Sequence, residues 1–414
     1  MNRIQEAALQ LASLSIYRKI GEQEVPGAFY RLLRSANGMQ AEEFVSAWGD
    51  FLSVLAKKNA VEGFATALTD AVLFDDNPFS AAAAAGENVA SEGITRLVGR
   101  DLAILKQISE ITPADVLDGC AWPEFASLHL PSWHSETPFL AGVQGPSEQI
   151  EWLRAHYQKN GYGPFARAHA FIWRDRQLFP VQQPDPIVLS DLKGYEVQRN
   201  MVLENTRAFV AGLPANNCLL YGDRGTGKSS TVKALLHEFP SLRLIEMPKE
   251  AIPQFPDLVA MLADLPMRFI VFIDDLSFSR QDDTYASLKA VLEGGLAVRP
   301  DNTLIYATSN RRHLLRETFS DREGDEIHRG DTIQESMSLA DRFGLSVRFM
   351  LPDKAQYLEI IEKLAMQRGL TEHLSQLYLG AERWATERGG RSPRCARQYI
   401  RHAEAKIRQG KSLL

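Results

Sequence analysis

The chain has 414 residues, of which 45% are hydrophobic and 24% charged, and its formal net charge is −6. That length suits two or three soluble domains, and the mild acidity excludes a global electrostatic case for nucleic acid or an anionic membrane as partner. Three cysteines, Cys120, Cys218 and Cys395, stand far apart with no CxxC spacing, which argues against a disulfide framework and a cysteine zinc site and fits a reducing, cytoplasmic setting best.

Met1-Asn-Arg-Ile-Gln-Glu runs straight into a helical stripe (Ile4, Ala8, Leu11, Leu14), and no stretch approaches the ~20 apolar residues of a membrane span, so neither export by a signal peptide nor membrane insertion is expected. Gly27 to Ser35, Ala41 to Lys57 and Val61 to Phe74 repeat the helical spacing, punctuated by Pro26, Gly38, Asn59 and Asp76-Asn-Pro78. A further helix is predicted over Val89 to Glu110, with Leu97, Leu102 and Leu105 inward, and one more around Glu148 to Tyr157. His129, His134, His156 and His169 show no metal-ligand spacing and read as solvated or core histidines. Residues 1–178 are therefore expected to be a mainly α-helical domain serving partner recognition or assembly. Ala168 to Trp173 reads as a strand, and the prolines within 179–188 predict an extended linker and a domain boundary.

A helix capped near Ser190 or Gly194 is predicted to run to Ala211. The apolar strand Cys218-Leu-Leu-Tyr221 then leads into Gly222, Asp223, Arg224, Gly225, Thr226, Gly227, Lys228 and Ser229, with Ser230 opening a helix. This is G-x-x-x-x-G-K-[ST] between strand and helix: glycines let the backbone amides point inward at phosphate oxygens, Lys228 reaches the β- and γ-phosphates, and the Ser229 hydroxyl is placed to ligate Mg²⁺. The segment from Leu192 to Gln198, including Gly194 and Tyr195, is expected to pack on the adenine.

Beyond this loop the pattern alternates strand and helix, as in a parallel α/β sheet. Arg268-Phe-Ile-Val-Phe-Ile273 suits a strand buried on both faces and ends in Asp274-Asp275, at the carboxyl end where such sheets bind ligands. Asp274 is expected to hold Mg²⁺ through water opposite Ser229, and Asp275 to act as base or water-positioner. Leu304 to Ala307 is another short strand; Asn310 after it offers a neutral amide for the attacking water. A charged surface loop is predicted over 321–331, a helix over Thr332 to Asp341, a strand from Ser346 to Phe349, and three final helices over 353–368, 372–388 and 394–408.

These motifs resemble those of the AAA+ ATPase superfamily, and the chain looks most like a bacterial AAA+ family catalogued as a domain of unknown function. Gly222 to Ser229 matches Walker A, Phe269 to Asp275 Walker B, Tyr306 to Asn310 sensor 1, Leu339 to Phe343 the arginine-finger box, and Gly390 to Arg394 sensor 2. The resemblance implies an α/β AAA+ P-loop core over 189–352, with a parallel sheet in the order 5-1-4-3-2, and a C-terminal helical lid over 353–414. It also implies Arg394 at the nucleotide, Arg342 reaching the γ-phosphate of a neighbouring subunit, and hence a homo-oligomer binding ATP or ADP. Where many AAA+ enzymes end Walker B in Asp-Glu, this chain has Asp274-Asp275, whose second carboxylate is one methylene shorter, a geometry able to slow water activation.

The leading expectation is a Mg²⁺-dependent ATPase that remodels or assembles an unidentified protein partner. Nucleic acid is the less favoured alternative, resting on nine Lys/Arg against two Glu between Arg383 and Lys411. A slow or non-hydrolysing nucleotide switch is the alternative raised by Asp275, and a small-molecule kinase is the most distant.

Overall fold

Helical periodicity governs the chain up to Arg167, and alternation of apolar strands with helices governs it from Ala168; the contacts divide it at the same point, into units Met1–Arg167 and Ala168–Leu414. The computed structural model describes residues 2–36, 38, 40–86, 91–277, 283–293, 300–310 and 341–413, the side chains of 123, 124, 126, 283 and 293 excepted.

In the first unit the helices are α1 Arg3–Ala12, α2 Glu24–Ser35, α3 Ala41–Lys57, α4 Phe64–Leu73, α5 Pro78–Ala84, α6 Glu92–Ser109, α7 Pro113–Gly119, α8 Pro146–Asn160 and α9 Pro164–Arg167. Asn2, Asn77, Ser91 and Thr112 start four of them by accepting a backbone N–H with the side chain, each such cap worth about 1 kcal/mol. Phe29, Phe51, Phe64, Trp48 and Trp133 form the aromatic centre of its core, with ring centroids 4.6 to 6.0 Å apart. Asp101 is fully buried and accepts the backbone N–H groups of Ser15, Ile16 and Tyr17, which fixes the turn after α1. The inward expectation for Leu97 is corrected: it is exposed, and Val98 takes the core-facing position one residue on.

The second unit is built on a seven-stranded sheet: β1 Ala170–Arg174, β2 Gln177–Pro180, β3 Cys218–Gly222, β4 Leu242–Glu246, β5 Arg268–Ile273, β6 Thr303–Ser309 and β7 Leu345–Phe349. Its order is β2-β1-β4-β5-β6-β3-β7, parallel throughout except for the β1–β2 hairpin. Counted from the P-loop strand, β7-β3-β6-β5-β4 is the 5-1-4-3-2 order expected, with two strands added at its far edge. β5 and β6 lie at the centre and are buried almost end to end, each fully buried Ile or Phe contributing about 1.5–3 kcal/mol. The helices of this unit are α10 Glu196–Val210, α11 Lys228–Glu238, α12 Phe255–Leu262 and α13 Asp283–Glu293, followed by α14 Lys354–Gln367, α15 Leu374–Glu387 and α16 Pro393–Arg408, the three lid helices with a core of their own around Tyr357, Ile361, Ala381 and Ile400.

Two boundaries differ from expectation. The strand at 168–173 does not end the helical domain; it is β1, paired parallel with β4, and the division falls before it rather than in the proline-rich 179–188 segment. Asp175 and Arg176 both adopt positive φ, 51° and 57°, and turn β1 into β2 without the Asn or Gly that would mark such a hairpin; Pro180 then sits at the end of an edge strand, where its missing N–H costs little. Of the two caps expected, Ser190 falls within a 3-10 turn at Leu189–Asp191, and the helix begins at Glu196 behind a left-handed Tyr195, next to the Gly194 alternative. The loop predicted over 321–331 and the helix predicted from Thr332, up to residue 340, lie outside the described residues.

Candidate active site

The carboxyl end of β3 opens into the P-loop because Gly222 is the only residue type its surroundings tolerate. Its φ is +130°, and a Cβ there would stand 2.0 Å from the carbonyl oxygen of Phe349 on β7. Gly227 then caps α11, so the helix amino end and its unpaired N–H groups face the loop. Lys228, buried at the first helical position, donates from Nζ to the Gly222 oxygen at 2.9 Å, the Asp223 oxygen at 2.7 Å and Asn310 Oδ1 at 3.3 Å. Thr226 Oγ1 donates to the Asp223 oxygen at 2.8 Å, and Asp223 Oδ2 accepts the Leu351 N–H at 2.7 Å, tying the loop to the segment between sheet and lid.

Two strand ends meet opposite the loop. Asp274, after β5, accepts from Ser229 Oγ at 2.6 Å and from Thr308 Oγ1 at 2.5 Å, and through the same oxygen from the Asp275 N–H at 3.1 Å. Asp275 is left-handed, with φ 51°, and its N–H also donates to Thr308 Oγ1 at 3.0 Å. A non-glycine residue held there carries strain of order 1 kcal/mol or more, kept by the bonds around it. The Asn310 amide at the end of β6 joins both sides: its Nδ2 donates to Asp275 Oδ1 at 2.5 Å while its Oδ1 accepts from Lys228.

A cleft of about 640 Å³ lies over these groups, lined by Arg224 to Thr231, Asp274, Asp275, Thr308 and Asn310 on the sheet side. Leu192, Tyr195, Phe349 and Pro393 supply its apolar wall, and Arg394 its lid side, where the Arg394 N–H donates to the Gly225 oxygen at 3.1 Å. Tyr195 stacks on Phe349, with centroids 5.3 Å apart, and its hydroxyl donates to the Met350 oxygen at 2.5 Å. Burial and nearby Asp223 push that phenol up from its ordinary value.

The cleft thus gathers Arg224, Gly225, Thr226, Gly227, Lys228, Ser229, Ser230, Tyr195, Asp274, Asp275, Asn310 and Arg394. Gly222 and Asp223 lie beneath it, their carbonyls on Lys228. Gly194 is not brought to this cleft; it lines a neighbouring cavity of about 360 Å³ with Met350 and Ile360. Arg342, half-buried just before β7, is likewise not among the cleft's lining residues. The individual residue choices missed Thr308, Arg199, Arg397 and Arg401, all of which line the cleft. Arg394, Arg397 and Arg401 stand at i, i+3 and i+7 on α16, one helical face, and that spacing was the available signal. The Arg397 guanidinium is pushed down first by burial and then by Arg401, against Asp191 and Asp185.

A family model described as "Protein of unknown function (DUF815)" matches residues 166–407, more than half of the chain. The chain belongs to the DUF815 family. This DUF815 member is also similar to solved structures of RuvB from Thermotoga maritima. One matches at 17% identity and a TM-score of 0.37, covering 54% of this chain and 66% of that one. A second matches at 16% and 0.38, covering 55% and 67%. A third, titled a Holliday junction branch migration motor, matches at 17% and 0.31, covering 51% and 70%. The match to the first of these spans just under two thirds of its length. No curated protein matches the chain.

Proposed function

We propose that this DUF815 member is a Mg²⁺-dependent ATPase of the AAA+ type. One observation carries the reading: the Asp274 carboxylate, delivered by β5, meets the P-loop hydroxyl of Ser229 and the β6 hydroxyl of Thr308 within hydrogen-bond reach, beside Lys228 and Asn310. A hydroxyl and a carboxylate oxygen 2.6 Å apart are the hard donors a magnesium ion takes together with phosphate oxygens and water, so the residues fit that ion. When bound, the ion neutralises charge on the β- and γ-phosphates. Lys228 and the α11 amino end hold the phosphates, the Tyr195 and Leu192 wall takes the base, and Arg394 approaches from the lid. Asp275 accepts the proton of the attacking water, and Asn310, held between Asp275 and Lys228, orients that water without competing for its proton.

The unit works as a homo-oligomer in a reducing cytoplasm and acts on a protein partner through residues 1–167. A remodelling role is favoured over a nucleic-acid one because the basic stretch near the C-terminus is largely engaged. Arg394, Arg397 and Arg401 face the cleft, Arg391 pairs with Glu382, Arg408 with Glu404, and Arg388 lies over the Trp384 ring. The three cysteines are free, and among the described residues no helix is long and apolar enough to cross a membrane.

Steady-state phosphate release from ATP, with and without Mg²⁺, tests the reading. Mg²⁺-dependent turnover is expected, abolished by Lys228→Ala and reduced roughly 10²-fold or more by Asp275→Asn. ATP binding without turnover in the wild type would overturn hydrolysis in favour of the nucleotide switch; absence of binding would overturn the site itself.

A further inference from the structure

We propose that Glu62, His134 and Glu136 form a binding site for a divalent transition-metal ion on the N-terminal unit. In the extended segment around residue 135, Trp133 is 3% exposed and packs against Phe29, Phe51 and Trp48, and Ser135 Oγ accepts the Ala65 N–H at the amino end of α4 at 2.9 Å. Trp133 is thus anchored in the core and Ser135 is tied to α4, while the His134 and Glu136 side chains are both exposed. The partner segment is fixed by an antiparallel bridge between Gly63 and Ser135, with the Glu136 N–H donating to the Glu62 oxygen at 3.1 Å and the His134 N–H to the Val61 oxygen at 3.0 Å. That register sets Glu62 directly opposite Glu136.

Like charges directly opposite on paired strands destabilise the pair unless something sits between them. Here one imidazole nitrogen and one oxygen from each carboxylate all lie within 4.8 Å of one another. Ligand atoms about 2.1 Å from a tetrahedral ion stand roughly 3.4 Å apart, a closure that rotation of three exposed side chains supplies without moving the backbone. A second feature points the same way: Glu62 and Glu136 also line a cavity of about 970 Å³ whose wall adds Glu22, Glu24 and Asp70, against Lys58 and Arg167. Lys58 is paired with Glu24, which leaves the Glu62–Glu136 end of the cavity attractive to cations.

One imidazole with two carboxylates suits Zn²⁺, Co²⁺, Mn²⁺ or Fe²⁺ better than Mg²⁺ or Ca²⁺, which favour oxygen alone. Three protein ligands at an exposed position leave room for water. The ion clips two segments far apart in sequence, so it stabilises this unit, and it accounts for a carboxylate pair that the fold otherwise holds at a cost. The sequence shows no ligand spacing because His134 and Glu136 come from one segment and Glu62 from another.

The test uses the full chain, chelator-treated and free of nucleotide, titrated with Co²⁺ by visible absorption and with Zn²⁺ by calorimetry. Wild type and Asp274→Asn are expected to bind a single ion tightly, while His134→Ala and the isosteric Glu136→Gln each weaken binding roughly tenfold or more. Zn²⁺ should raise the thermal midpoint of the wild type by more than that of either variant, with circular dichroism showing all proteins folded. Unchanged affinity in His134→Ala and Glu136→Gln would overturn the proposal, as would loss confined to Asp274→Asn, which assigns the ion to the nucleotide cleft. No binding at millimolar metal would overturn it equally.

Discussion

Burial holds the Lys228 ammonium down to about 8, while Asp223, Asp275 and Asp274 pull it up and Arg394 pushes it further down. An unfolded lysine titrates near ~10.4, so the folded state disfavours the charged form: the penalty on folding is full at low pH and fades as pH rises from about 8 towards 10. Nucleotide binding runs the other way, because phosphates need the charged amine. ATP affinity should be flat below about pH 8 and fall roughly tenfold per unit above it, with proton uptake on binding. Calorimetry near pH 8.5 in buffers of different ionisation enthalpy reads that uptake, and Lys228→Arg should remove it. PH-independent affinity in the wild type would take Lys228 away from the phosphates. At this scale Lys228, Ser229 and Asp274 were legible because their spacing is local, within one loop or at one strand end. Thr308 and Arg397 were not, since each matters only through which strand end or helix face arrives beside it.

Elements meet where glycine permits it, and β3 and β7 meet without room for a Cβ at Gly222. Its missing Cβ lets the Phe349 carbonyl approach, while the following Asp223 N–H donates to that same oxygen at 2.8 Å. Gly222→Ala should drive the two strands apart, costing about 3 kcal/mol or more and weakening nucleotide binding with it. Gly227→Ala, at φ +97° but with nothing within 4 Å of a Cβ, should cost nearer ~1 kcal/mol, the strain of the left-handed residue alone. Thermal unfolding of the two variants separates them, and equal losses would show that strain, not the β7 contact, demands Gly222. The core strands were legible from their apolar runs, because burial on both faces leaves little else in β5 and β6. The β1–β2 hairpin was not, since its turn holds Arg176 as well as Asp175 at positive φ with no glycine or asparagine to mark it, and the prolines from Pro180 onward imitate a linker.

At the scale of the whole molecule, Arg342 asks whether one chain completes a site. It stands between Asp341 and the core-buried Phe343 just ahead of β7, half-buried, and it is not among the residues lining its own chain's cleft. An Arg342 that acts at a γ-phosphate would therefore act on the cleft of another copy, beside the arginines this chain's own lid supplies. An arginine supplied in trans stabilises charge on the transferring phosphoryl group, worth about 10³-fold or more in rate, and adds little to ground-state affinity. Arg342→Ala should therefore bind ATP as the wild type does, with turnover reduced by about that factor, and wild-type specific activity should rise with protein concentration through the assembly range. Excess Lys228→Ala subunits, inactive themselves but carrying an intact Arg342, should restore hydrolysis at sites whose own subunit carries Arg342→Ala. Normal turnover in Arg342→Ala would remove the residue from the mechanism. Lost turnover without complementation, in mixtures shown to co-assemble, would place its action within its own chain.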